Sequence, residues 1–156
     1  MSVSVSSIID RMAVIAPPAL AADWDNPGLQ VGARSWMTQS VMVALDPTMA
    51  VVRAACEAGA GLLITHHPLL FRPLSAVDPD TPAGAILEMA LSHKLAIFSA
   101  HTNLDSVPGG INDLLAERLG ITPLRPMQSM DEPLCRLAVY VPEAATSAIL
   151  DVFFES

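Results

Sequence analysis

Three short aliphatic runs, Val41–Leu45, Leu62–Thr65 and Leu95–Ser99, alternate with stretches of helical periodicity, and this alternation constrains the fold more than any other feature of the chain. Between the first two runs, Thr48 to about Ala58 reads as a helix, with Gly59 placed to end it. Between the second and third, Thr81 and Pro82 supply an N-cap and a first-turn proline for a helix reaching about His93. A β-α-β-α-β order predicts parallel strands joined by right-handed crossovers, with helices on the sheet faces. Ligands of such sheets gather at the carboxyl ends of the strands. Hydrophobic residues make up 52% of the chain and aromatics only 4%, an aliphatic palette that suits helices laid on a buried sheet. The expected class is therefore α/β, a mostly parallel sheet flanked by helices.

Outside this frame the pattern is less regular. Ile8, Ile9, Met12 and Ile15 recur at helical spacing up to Pro17-Pro18, which predicts an opening amphipathic helix. Ala21–Gly32 is rich in turn formers and reads as an ordered loop. Ile111–Leu119 reads as a helix closed by Gly120. The expected organisation is an α/β domain over 1–121, a connection over 122–132, and the start of a second β-α module over 133–156. In that module Leu134–Val141 is strand-like and Glu143–Phe154 is helix-like. A helix ending on Ile149, Leu150, Val152, Phe153 and Phe154 with no element after it would expose an apolar face, so the expectation is a chain cut short or an oligomer contact.

The formal net charge of -8 argues against nucleic acid as a partner, since a phosphate backbone is held by clustered Lys and Arg and here the basic residues are scattered. One anionic small molecule remains compatible. Cys56 and Cys135 form no CxxC pair, so neither a zinc knuckle nor a disulfide framework is signalled. Met1–Ser7 lacks a basic leader and an apolar core, and no apolar run approaches transmembrane length. The expectation is a cytoplasmic protein without a membrane partner.

Two segments carry chemistry. Thr65-His66-His67-Pro68 follows one predicted strand directly, and His101-Thr102-Asn103-Leu104-Asp105 follows another. Neighbouring parallel strands would bring three imidazoles and a carboxylate to one edge. Imidazole and carboxylate together suit a divalent transition ion, Zn, Fe, Mn, Ni or Co, rather than Ca or Mg. In an extended backbone His66 and His67 point apart, an arrangement poor for sharing one ion and good for serving two. Two ions roughly 3.5–4 Å apart can clamp a phosphoryl or carbonyl oxygen and lower the pKa of a shared water.

Bland readings stand beside this one. Histidines after a strand also serve as hydrogen-bonded or capping groups, and Asp105 could equally be a turn or capping residue before Pro108-Gly109-Gly110. His93 falls at a helix end, where the dipole favours a cation without any ligand role. Asp23, Trp24, Asp25 and Asn26 read as a Trp packed over the core with solvated acids around it, rather than as a substrate loop. Asp78 and Asp80 read as a solvated turn. Neither GxGxxG nor GxxxxGK[ST] is present, and no serine sits in a nucleophile elbow.

At these residues the sequence resembles the NIF-three-like, or YbgI-like, family, often labelled GTP cyclohydrolase I type 2 homologues. The resemblance runs through Asp23-Trp24-Asp25-Asn26-Pro27-Gly28-Leu29-Gln30-Val31-Gly32, Leu45-Asp46-Pro47-Thr48, Ile64-Thr65-His66-His67-Pro68-Leu69, and His101–Asp105 with the Pro-Gly-Gly-Ile-Asn that follows. It covers essentially the whole chain. It implies an α/β fold with two metal ions per full-length subunit, in homo-oligomeric rings, commonly hexamers, and metal-dependent hydrolysis of a nucleotide or another small phosphorylated or heterocyclic substrate. A non-catalytic metal-binding or regulatory interaction protein would share every ligand. By motif position His66, His67 and Asp105 look like metal ligands, and His101 looks like a further ligand, a proton relay or a group orienting the site. Family members continue into a second half with a further His and a bridging Glu that this chain does not supply. The expectation is an N-terminal portion, inactive alone, holding at most one weakly bound metal.

Overall fold

The computed structural model describes residues 2–122, 140–142, 145–148 and 150. The chain divides into two compact units, Met1–Leu124 and Arg125–Ser156. The expected connection over 122–132 and the expected strand Leu134–Val141 lie almost wholly outside the described residues. Within the expected helix Glu143–Phe154, residues 146–148 and 150 are helical.

The first unit opens with a two-residue strand β1 (Val3–Ser4) and helix α1 (Val5–Ile15). The Ser4 hydroxyl caps α1 by accepting from the Ser7 amide. A 3-10 turn follows at Pro18–Leu20, then β2 (Gly28–Val31), β3 (Met37–Thr38) and β4 (Val41–Ala44). Helix α2 (Met49–Glu57) is capped by Thr48, and Gly59 leaves it with a positive φ of 67° that a side chain would strain. Next come β5 (Leu62–Thr65), helix α3 (Pro82–Ser92), capped by the Thr81 hydroxyl at the Gly84 amide, and β6 (Ala96–Ser99). Helices α4 (Thr102–Ser106) and α5 (Ile111–Arg118) end the unit's regular structure.

Four strands form one sheet in the order β2-β6-β5-β4. β4, β5 and β6 are parallel, while β2 closes the edge antiparallel to β6. β1 and β3 form a separate antiparallel pair. The central strands explain the continuous apolar runs: Leu63 and Ile97 enter a cluster with Val52, Ala55, Ile86 and Ala90 of α2 and α3. Leu62, Ala96 and Phe98 enter a second cluster with Val5 and Ile9 of α1 on the other face. With both faces covered, no polar alternation survives in β5 or β6. Burying side chains such as Leu62, Leu63 and Ile97 contributes about 1.5–3 kcal/mol each.

One expectation needs correction. Ala21–Gly32 is not only loop, because Gly28–Val31 adds the edge strand β2, which pairs Gly28 with Ser99 and Leu29 with Phe98. Its ladder shifts register between Leu29 and Val31, on either side of Gln30. The segment after β6 winds into a short helix at Thr102–Ser106. Among the described residues no helix is long and apolar enough to cross a membrane.

Candidate metal centre

The carboxyl ends of β4, β5 and β6 point the same way, so the segments leaving them share one edge of the sheet. Because β2 runs antiparallel with Gly28 opposite Ser99, the loop before it, Trp24 to Pro27, reaches the same edge. The backbone of the histidine pair is fixed past the end of β5. His66 N–H donates to the Ala44 carbonyl and His67 N–H to the Leu45 carbonyl. The hydroxyls of Ser99 and Thr65 donate to the carbonyls of His66 and His67, each across 2.8 Å.

His66, His67 and His101 each present a ring nitrogen within 4.8 Å of those of the other two. The expected divergence of His66 from His67 does not hold: their ring centroids are 4.9 Å apart. The strand ends at Thr65 and the backbone bends at both histidines, which breaks the alternation that an extended chain would impose. The Asp105 carboxylate reaches the cluster from α4, with Oδ1 3.7 Å from His66 Nε2. That gap is too long for a hydrogen bond. Two ligands of one tetrahedral ion, each about 2.0–2.1 Å from it, would sit roughly 3.4 Å apart, close to this spacing.

All three rings have Nδ1 engaged. His66 Nδ1 meets the Ala100 carbonyl at 3.0 Å, His67 Nδ1 meets Asp46 Oδ1 at 2.6 Å, and His101 Nδ1 meets Asp25 Oδ1 at 2.8 Å. Each partner is an acceptor, so Nδ1 must carry the proton and donate. In the neutral ring that leaves a lone pair on Nε2, the form in which imidazole binds a metal. The three imidazole nitrogens therefore fit a divalent transition ion on the chemistry of their atoms, and the Asp105 carboxylate stands beside the His66 ring.

Sequence reading passed over two of these partners. Asp25 is not a solvated acid: its side chain is fully shielded. Besides His101 it takes the Thr102 amide at 3.0 Å and the Thr102 hydroxyl. Burial alone would raise its carboxyl. The hydrogen bonds from His101, from the Thr102 hydroxyl and amide, and from the Asn26 amide outweigh that effect and hold it below its ordinary value. Nor is Trp24 packed over the core, since it is 63% exposed. Asp46 gave no separate signal, because an Asp before a Pro reads as turn punctuation. His93 keeps the helix-end place expected of it, its Nδ1 against the Met89 carbonyl. Asp78 accepts from the Asp80 amide in an exposed turn, also as expected.

The profile of the DUF34/NIF3 family (NGG1p interacting factor 3) matches residues 3–152. The chain belongs to this family. Among DUF34/NIF3 relatives, a Halalkalibacterium halodurans protein named GTP cyclohydrolase 1 type 2 homolog is 42% identical over 86% of this chain and 36% of its own length. A Mycobacterium tuberculosis protein of the same name is 37% identical over the whole of this chain and 41% of its own. The chain thus spans about two fifths of the curated relatives it matches. Of solved structures, a Bacillus cereus protein related to NIF3 superposes with a TM-score of 0.73 at 42% identity, over 77% of this chain and 33% of that one. Reduced HcgD from Methanocaldococcus jannaschii gives 0.77 at 33% identity, over 82% and 51%. The expected kinship and the mixed, mostly parallel α/β fold both stand.

Proposed function

We propose that this DUF34/NIF3 chain contributes His66, His67 and Asp105, with His101 beside them, to a centre for divalent transition metal, two ions per full-length subunit, that serves hydrolysis of a nucleotide or another small phosphorylated or heterocyclic substrate. The observation that carries the reading is the convergence of three imidazoles, each with Nδ1 against an oxygen acceptor. The name borne by the bacterial relatives, GTP cyclohydrolase 1 type 2 homolog, supports the hydrolytic class. A small-molecule substrate, a ring-shaped homo-oligomer and a cytoplasmic setting complete the proposal.

Bound there, Zn, Fe, Mn, Ni or Co would polarise a phosphoryl or carbonyl oxygen and acidify water. The chain's own groups do the positioning. Asp25 and the Ala100 carbonyl fix the His101 and His66 rings from the buried side, where little can move. Asp46 orients His67 from the solvent side, and the partial exposure of His67 and Asp105 leaves the edge open to a substrate.

Metal analysis of the chain dialysed against each candidate ion tests the proposal. Uptake falls sharply in His66→Ala, His67→Ala and Asp105→Ala. Equal uptake by the wild type and a triple variant would sink it. Turnover of nucleotides or phosphoesters by the metal-loaded full-length protein, lost in Asp105→Ala and kept when exposed Glu88 becomes Ala, carries the hydrolytic half.

A further inference from the structure

Beside the histidines the surface is unusually aromatic for so acidic a loop. Trp24 is 63% and Phe71 46% exposed, and their ring centroids lie 5.9 Å apart at a tilt of 58°. Both rings reach the edge of the His101 imidazole, at 6.3 and 6.5 Å. Exposed large aromatics that pack on one another rather than on the core have no role in stabilising this fold that would require them there. The loops bearing them are tied together. Asn26 Nδ2 donates to the Leu70 carbonyl at 2.6 Å, Gln30 Oε1 accepts from the Leu70 amide at 3.0 Å, and Gln30 Nε2 donates to the Asn26 carbonyl at 2.7 Å. Gln30 sits at the register shift in β2.

These rings wall a recess of about 490 Å³ that Arg72 also lines. Its volume falls among small-molecule sites, which run roughly 300–1,000 Å³. Among the described residues Arg72 has no carboxylate partner within salt-bridge distance, and it is exposed. A guanidinium free to pair lies next to π-faces free to stack, on the rim of a cluster of potential metal ligands. Aromatic faces take planar heterocycles, and a planar guanidinium takes an anionic oxygen pair.

We infer that Trp24, Phe71 and Arg72 form the substrate-reading platform of the centre, holding the planar ring of a nucleotide on the aromatics and its phosphate at Arg72. The inference rests on the proposed metal centre for what the bound ring is presented to, but the platform itself binds without the metal. Asn26 and Gln30 are positioning residues that hold the two loops in register before the ligand arrives, which lowers the ordering cost of binding.

The test uses guanosine 5′-monophosphate as probe, with guanosine and ribose 5-phosphate as controls. The indole ¹⁵N resonances of Trp24 and Trp36 are assigned through Trp24→Phe, and affinities are measured by calorimetry. The nucleotide moves the Trp24 resonance saturably and leaves that of Trp36 in place, while ribose 5-phosphate moves neither. Trp24→Ala weakens binding about tenfold or more and Trp24→Phe restores most of it. Arg72→Ala weakens the nucleotide about tenfold and leaves guanosine unchanged. A Trp24 resonance that ignores millimolar nucleotide, that follows ribose 5-phosphate equally, or that shifts with protein concentration instead, overturns the inference. The last result would assign the aromatics to a contact between copies. Nucleotide at Trp24 without any metal uptake keeps the platform and removes the centre, whereas metal uptake without nucleotide at Trp24 keeps the centre and removes the platform.

Discussion

The carboxylate of Asp25 lies 2.8 Å from His101 Nδ1 with its side chain wholly shielded from solvent, and so couples the loop before β2 to the end of β6. Two separate demands meet in that contact. It fixes the tautomer of His101, and it satisfies a buried carboxylate that would otherwise be costly. Asp25→Asn keeps the shape but cannot accept as strongly, and its amide has one oxygen to serve donors that now engage two. The variant loses about 1–3 kcal/mol in urea unfolding of the metal-free chain, and metal uptake falls about 10–100-fold. Unchanged values in both measurements would show that the contact neither stabilises nor orients.

Asp46 makes the same kind of contact with the opposite expectation for stability. Its 2.6 Å partner His67 is 45% exposed and Asp46 itself 50%. Exposed pairs of this kind contribute about 0–1 kcal/mol. Asp46→Ala should therefore leave the unfolding midpoint almost untouched, while metal affinity drops about tenfold or more through a freed His67 ring. A variant that unfolds early without losing metal would assign Asp46 a structural role instead.

The difference between these two aspartates marks what the sequence could and could not disclose. β5 and β6 were legible because strands buried on both faces must be apolar throughout, and α2 and α3 because Thr48, Thr81 and Pro82 announce their starts. The histidines were legible because each follows such a strand directly. β2 was not, since four residues that begin on one positive-φ glycine and run into another carry too little pattern to separate a strand from a turn. α4 spans five residues, too few for periodicity to register. Asp25 acquires its role from a partner 76 positions away, and no local rule distinguishes a carboxylate that folding will bury from one that stays in water. The wrong expectation for the His66 and His67 rings has a related cause, because it carried alternation two residues past the strand that enforces it.

Cys56 offers a test of the face of the sheet that α2 and α3 cover. Partial burial against the core of α2, and then the neighbouring charge of Glu57, push its thiol above the ordinary 9.0. A raised pKa leaves less thiolate at any given pH, and the thiolate is the nucleophile. Alkylation of Cys56 by iodoacetamide, followed by peptide mapping to separate it from Cys135, should run slower than for free cysteine at mildly alkaline pH. Its rate rises with pH throughout and levels off only above 9.0, later than an unshifted thiol would. Alkylation as fast as for the free amino acid would contradict the placement of this side chain.

Asn103 is 3% exposed and joins two distant parts of the unit. Its Oδ1 accepts from the His101 amide at 2.9 Å, and its Nδ2 donates to the carbonyl of Ala16, the residue that ends α1, at 2.8 Å. Removing the side chain strands a partly buried N–H and a buried C=O at once, and an unsatisfied buried group costs about 1–3 kcal/mol. Asn103→Ala should therefore lower the urea midpoint markedly even in chelator, where metal cannot contribute. Asn103→Asp keeps the acceptor for His101 but sets a carboxylate against the Ala16 carbonyl, so it should not rescue the loss. If both variants unfold with the wild type, the link between α1 and the His101 backbone is not a stabilising contact.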